Sequence, residues 1–96
     1  MSTIEEQARE VLSPVLGECI RQRTEAGVRK YGQTLDDNHQ PDRARVIHAV
    51  QEGLDMVQYL LWAGVTSYAY EVALLTNDLQ GTFHLTAEEI MAGGKH

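Results

Sequence analysis

The stretch from Arg43 to Trp62 most constrains what this chain can fold into. It carries no proline, and apolar side chains recur at Val46, Val50, Leu54, Val57 and Leu61, spacings of three and four. That period predicts an amphipathic helix. A second stripe of Arg45, His48, Glu52, Asp55 and Tyr59 runs along a neighbouring face of the same helix. Glu52 and Asp55 form a Glu-x-x-Asp pair, two carboxylates one turn apart, which can share a hard divalent cation because such ions prefer oxygen ligands.

The rest of the chain reads as helices around this one. Ser2 and Thr3 before Glu5 and Glu6 predict a helix start. Pro14 interrupts that helix, giving either a kink or a new helix capped by Ser13. The run to about Tyr31 places Val15, Leu16, Cys19 and Ile20 on an apolar side and Glu18, Gln22, Glu25 and Arg29 on another, with Gly32 as a C-terminal stop. Gln33 to Asp42 is a polar connection of ten residues with Leu35 as its apolar anchor; long loops of this kind often carry function. Thr66 and Ser67 are expected to cap a helix over Tyr68 to Leu79, with Tyr68, Val72, Leu75 and Leu79 inward and Gly81 at its end. An extended link, residues 82–85, then leads to a capping box, Thr86-Ala-Glu-Glu89, and a last helix stopping at Gly93-Gly94. No strand alternation is sustained. The expected fold is a single all-α domain over residues 1–96, a small bundle of three to five helices. With 96 residues, such a chain has little core of its own, so homo-oligomerisation is expected to complete it.

Charge and cysteine usage narrow the function classes. A net charge of −6 opposes non-specific binding to nucleic acid, which depends on neutralising phosphates. No apolar run approaches the length of a membrane span, and the single Cys19 gives no disulfide framework, which suits a reducing cytoplasm. Cys19, among Val15, Leu16 and Ile20, is expected to be a buried structural thiol. Arg21, Arg23, Arg29 and Lys30 late in one helix, and Arg43 and Arg45 opening the next, would meet if the two helices formed a hairpin. Cations beside carboxylates are what a magnesium-bound polyphosphate requires.

Two segments carry a resemblance. Arg23-Thr-Glu-Ala-Gly-Val-Arg-Lys-Tyr-Gly-Gln-Thr-Leu35, followed by His48-Ala-Val-Gln-Glu52-Gly-Leu-Asp55-Met-Val-Gln-Tyr59-Leu60, resembles small phage and prophage proteins similar to MazG. These belong to the all-α nucleoside triphosphate pyrophosphohydrolase superfamily. The resemblance spans about Glu18 to Trp62. It implies a homodimer or homotetramer that uses Mg2+ to hydrolyse a nucleoside triphosphate to the monophosphate and pyrophosphate. Carried onto this chain, Glu52 and Asp55 are the catalytic metal ligands, and Glu18 or Glu25 is a further one. By charge and location alone, Arg23, Lys30 and Arg45 are expected on phosphate, and Tyr31 or Tyr59 against the nucleotide. The family's earlier Glu-Glu-x-x-Glu motif has no match: Glu5-Glu6-x-x-x-Glu10 differs in spacing and precedes Pro14. This departure keeps a second reading open, a degenerate nucleotide-binding relative or a phage protein that binds a host protein.

Overall fold

The computed structural model describes residues 2–92. It is all-α, with helices α1 (Ile4–Val11), α2 (Pro14–Tyr31), α3 (Asp42–Trp62), α4 (Thr66–Thr82) and α5 (Ala87–Ala92) and a 3-10 turn at Leu35–Asp37. There is no strand among the described residues. The chain forms two compact units, Met1–His39 and Gln40–His96.

In the first unit, Pro14 starts a new helix rather than kinking one. Thr3 Oγ1 accepts the Glu6 amide and caps α1; Ser13 Oγ accepts the Leu16 amide and caps α2. Proline suits the first helical turn, where its missing N–H would have no partner anyway. Gly17 is buried, and the stem of Arg9 from α1 crosses it at 3.7 Å from where a Cβ would stand. Gly32 ends α2 in the left-handed conformation, φ 76°. The polar connection is held by its carboxylates, not by Leu35, which is exposed. Asp37 Oδ2 accepts from the Thr34 amide and hydroxyl, and Asp36 Oδ1 accepts the Ile4 amide at 3.1 Å, satisfying an orphan donor of α1. Cys19 is exposed rather than buried, as are Val15 and Leu16. The covered side of α2 runs instead through Gly17, Ile20 and Thr24.

The second unit is a helical hairpin, α3 against α4, with α5 laid on α3. A Schellman motif closes α3: the Val65 amide reaches the Leu60 carbonyl, the Gly64 amide reaches Leu61, and Gly64 sits at φ 82°. This turn feeds straight into α4, so Thr66 and Ser67 lie in its first turn and do not cap it; the Ala69 amide already bonds to the Val65 carbonyl. Helix α4 also runs past Gly81. Its end repeats the same motif, with Leu85 bonded to the Gln80 carbonyl and His84 bonded to Gly81. The residues expected to form an extended link are therefore the helix terminus. Leu85, just past the cap, is buried with Ile47 and Val50, and Leu79 packs against this cluster. An apolar contact of this kind is the usual companion of the motif.

His84 occupies the left-handed position, φ 51°, that glycine fills most easily. A left-handed L-residue costs about 1–2 kcal/mol, part of which glycine returns through its greater unfolded-chain freedom. His84→Gly is expected to stabilise the protein by up to about 1 kcal/mol, about 4–8 °C in melting temperature for a domain of this size. Thermal unfolding followed by circular dichroism reads this directly.

Arg43 fastens α5. Its guanidinium donates to both carboxylate oxygens of Glu89, at 2.6 and 2.9 Å, and to the carbonyls of Phe83 and His84. The expected capping box is present as well: Glu89 accepts the Thr86 amide, and Thr86 Oγ1 accepts the Glu89 amide. The Arg43 hydrogen bonds, then the Thr86 amide, lower the Glu89 carboxyl to about 2. Because the folded pKa is depressed, this clasp is complete above the ordinary carboxylate range and is lost as pH falls through about 2. Amide exchange in α5 should therefore accelerate between about pH 4.5 and 2, and Arg43→Met should bring that fast exchange to neutral pH. The stop expected at Gly93-Gly94 lies outside the described residues.

Candidate functional site

Two sets of candidate side chains stand out, one in each unit. In the second unit, Glu52, Asp55 and Tyr59 project from α3 on the side away from its buried residues, Ile47 and Val50. All three are exposed, as are Arg45 and His48. His48 Nε2 stands 3.9 Å from Glu52 Oε1, so a protonated imidazole would attract this carboxylate only weakly. Among the described residues, Asp55 has no ion-pair or hydrogen-bond partner. Two carboxylates one turn apart, neither held by a strong cation, can turn toward a divalent ion.

In the first unit, the αL turn at Gly32 folds the chain back along the end of α2 and leaves a groove of about 450 Å³. Arg23, Gly27 and Tyr31 form its α2 wall, and Gln33, Leu35 and Asn38 its other wall. Two of the residues singled out from sequence, Arg23 and Tyr31, are thus brought to one cavity. Lys30 Nζ lies 5.1 Å from the centre of the Tyr31 ring, a cation-π contact at the margin of the groove. The groove offers a guanidinium, an aromatic ring and amide side chains, which suits a planar, anionic ligand.

Glu18 and Glu25, the candidate further metal ligands, are engaged elsewhere. Arg21 lies between them, donating from Nε and Nη2 to Glu18 and from Nη1 to Glu25 at 2.6 Å. Its hydrogen bonds, then that of Gln22, lower the Glu18 carboxyl to about 2. Glu18 is therefore ionised at neutral pH, but it must release a guanidinium before it can bind a metal ion. Arg21 and Arg43 are committed to ion pairs, whereas Arg23 lines the groove.

Sequence reasoning missed Gln33 and Asn38 as groove residues. The signal was present in Thr34-Leu-Asp-Asp37, a capping box that tightens the connection into a 3-10 turn instead of a loose loop. Among the described residues, no three of His, Cys, Asp and Glu converge as a metal-binding group, and no helix is long and apolar enough to cross a membrane. No protein-family model, no curated protein and no solved structure matches this chain.

Proposed function

We propose that this protein is a magnesium-dependent nucleoside triphosphate pyrophosphohydrolase of MazG-like type, phage or prophage encoded and cytoplasmic, releasing a nucleoside monophosphate and pyrophosphate. The observation that carries the reading is the exposed Glu52–Asp55 pair on α3, where Asp55 has no protein partner among the described residues. Magnesium is commonly held by one or two carboxylates together with substrate phosphates, so this pair fits the ion without a third protein ligand. Bound magnesium would supply charge neutralisation on the phosphates and a water of lowered pKa.

The chain's own residues supply the rest. Glu52 and Asp55 would hold the ion through their carboxylates. Arg23 and Lys30 provide cations for phosphate, with Arg45 a further one, and Tyr31 or Tyr59 offers a ring or hydroxyl to the nucleoside. A magnesium polyphosphate needs carboxylates for the metal and cations for the phosphates. The small core supports assembly as a homodimer or homotetramer, and the net charge of −6 argues against general nucleic-acid binding.

The hold of Arg21 on Glu18 and Glu25 favours a second reading, a degenerate relative that binds a nucleotide without cleaving it. A pyrophosphate-release screen across nucleoside triphosphates, with and without magnesium, separates the two. Turnover supports the enzyme; nucleotide binding without turnover supports the sequestering protein.

A further inference from the structure

In the first unit, the groove wall that carries Gln33, Leu35 and Asn38 has no apolar anchor, since Leu35 is 70% exposed. Within itself this wall is well tied. Asp37 Oδ2 accepts from the Thr34 amide and hydroxyl, and the Asp37 and Asn38 amides donate to the Thr34 and Leu35 carbonyls. Its link to α1 is Asp36 Oδ1, which accepts the Ile4 amide at 3.1 Å from 32 residues away in sequence. Ile4 is the first residue of α1. A carboxylate there meets an amide with no partner inside its own helix, at the positive end of the helix dipole. The other end of α1 is held to α2, where the stem of Arg9 lies over buried Gly17. Gly17, Ile20 and Thr24 follow one another at spacings of three and four on one side of α2, and Ile20 and Thr24 line the groove. One helix thus meets both parts of the groove's frame, α2 through Arg9 and the opposite wall through Ile4.

We propose that Asp36 is a positioning residue for the groove: through the Ile4 amide it makes α1 a brace that sets where the wall of Gln33, Leu35 and Asn38 stands. This role rests on the nucleotide reading of the groove and deepens it, because a wall held in place beforehand spares the ligand the cost of ordering it. Asp36 itself does not line the groove; it acts through the neighbours it holds. The coupling runs both ways. A ligand that steadies the wall also steadies the Ile4 amide, which lies outside the groove.

Two substitutions cut the same hydrogen bond from opposite sides. Asp36→Ala removes the acceptor. Ile4→Pro removes the donor, and proline suits the first helical position, the more so because Thr3 before it is already extended, ψ 165°. Ile4→Ala is the control that keeps the amide, and Asp36→Asn keeps an acceptor oxygen. The full chain is titrated with the fluorescent nucleotide trinitrophenyl-ATP in EDTA, so that binding does not depend on magnesium, and amide exchange is followed by NMR. Asp36→Ala and Ile4→Pro should each weaken binding about tenfold, what losing one hydrogen bond to a charged group takes from the competent population, and the double variant no further. Both should speed exchange at Asp37 and Asn38, while Ile4→Ala and Asp36→Asn stay near the wild type. In the wild type the probe should slow exchange of the Ile4 amide, which a cap serving α1 alone would not do. Should Asp36→Ala fail to fold, Ile4→Pro makes the same comparison. Equal affinity in the wild type and the folded variants overturns the positioning role and leaves the nucleotide reading standing. No binding by the wild type overturns the nucleotide reading; exchange then decides the brace, and unchanged rates at Asp37 and Asn38 overturn it too.

Discussion

Gly53→Ala is expected to destabilise the protein by about 1–3 kcal/mol, the range for overpacking a close contact. Helix propensity by itself predicts the opposite, a gain of about 1 kcal/mol for alanine over glycine within a helix. Packing decides the sign. A Cβ on Gly53 would stand 2.6 Å from Thr76 Oγ1 and 3.2 Å from Thr76 Cγ2. Thr76 is only 7% exposed, and its hydroxyl donates to the Val72 carbonyl at 2.7 Å, so it has little room to turn away. Thr76→Ala removes both clashing atoms and leaves the Cβ contact at an ordinary 3.5 Å. The double variant should therefore recover most of the loss, with a favourable coupling of about 1 kcal/mol or more in a double-mutant cycle. Gly81→Ala is the control: nothing lies within 4 Å of a Cβ there, and the same change should raise stability by up to about 1 kcal/mol. Urea unfolding of the four variants and the parent checks the set; equal effects of alanine at 53 and 81 would mean the helices are not held at this distance.

Glu52→Gln and Asp55→Asn are each expected to lower magnesium-dependent pyrophosphate release by more than about 100-fold, the upper end of what losing an outer-shell support costs a metal site. Each substitution keeps the shape and one acceptor oxygen but removes the charge on which a hard dication depends. Both side chains are exposed, so neither change strands a buried partner, and the melting temperature should stay the same or rise slightly as repulsion within the pair is relieved. Magnesium should raise the melting temperature of the parent by linkage and should not raise that of either variant. Calorimetric magnesium titration of all three proteins completes the comparison.

What the sequence disclosed, and what it hid, follows from how local each signal is. Ser13-Pro14, Gly32, Ala63-Gly64 and the Thr86–Glu89 box are complete within a few residues, and each marks a helix end in the structure. The inward face of α4 is not local. Counting large apolar side chains selects Tyr68 and Leu75, but both are exposed, and the buried positions are Ala69 and Thr76. Small residues win there because Gly53 lets α3 approach closely, a fact about two helices that neither one's periodicity contains. The end of α4 was hidden for a related reason: His84, not Gly81, takes the left-handed cap, and the burial of Leu85 holds it there. At the candidate site, the stripe of Glu52, Asp55 and Tyr59 is legible from spacing on one helix. The groove was only half legible: Arg23 and Tyr31 stood out by residue type, whereas Gln33 and Asn38 join them through a turn fixed by Asp36 and Asp37. The engagement of Arg21 was legible from spacing, three after Glu18 and four before Glu25, whereas the pair of Arg43 with Glu89 joins residues far apart in sequence.

The measurement that bears most directly on the central claim is pyrophosphate release by the parent protein across nucleoside triphosphates, with magnesium and with chelator. The account predicts equimolar pyrophosphate and nucleoside monophosphate from at least one nucleotide, only with magnesium present, and no release from Glu52→Gln. Absence of release from every nucleotide with magnesium, or release that persists in Glu52→Gln, would contradict it.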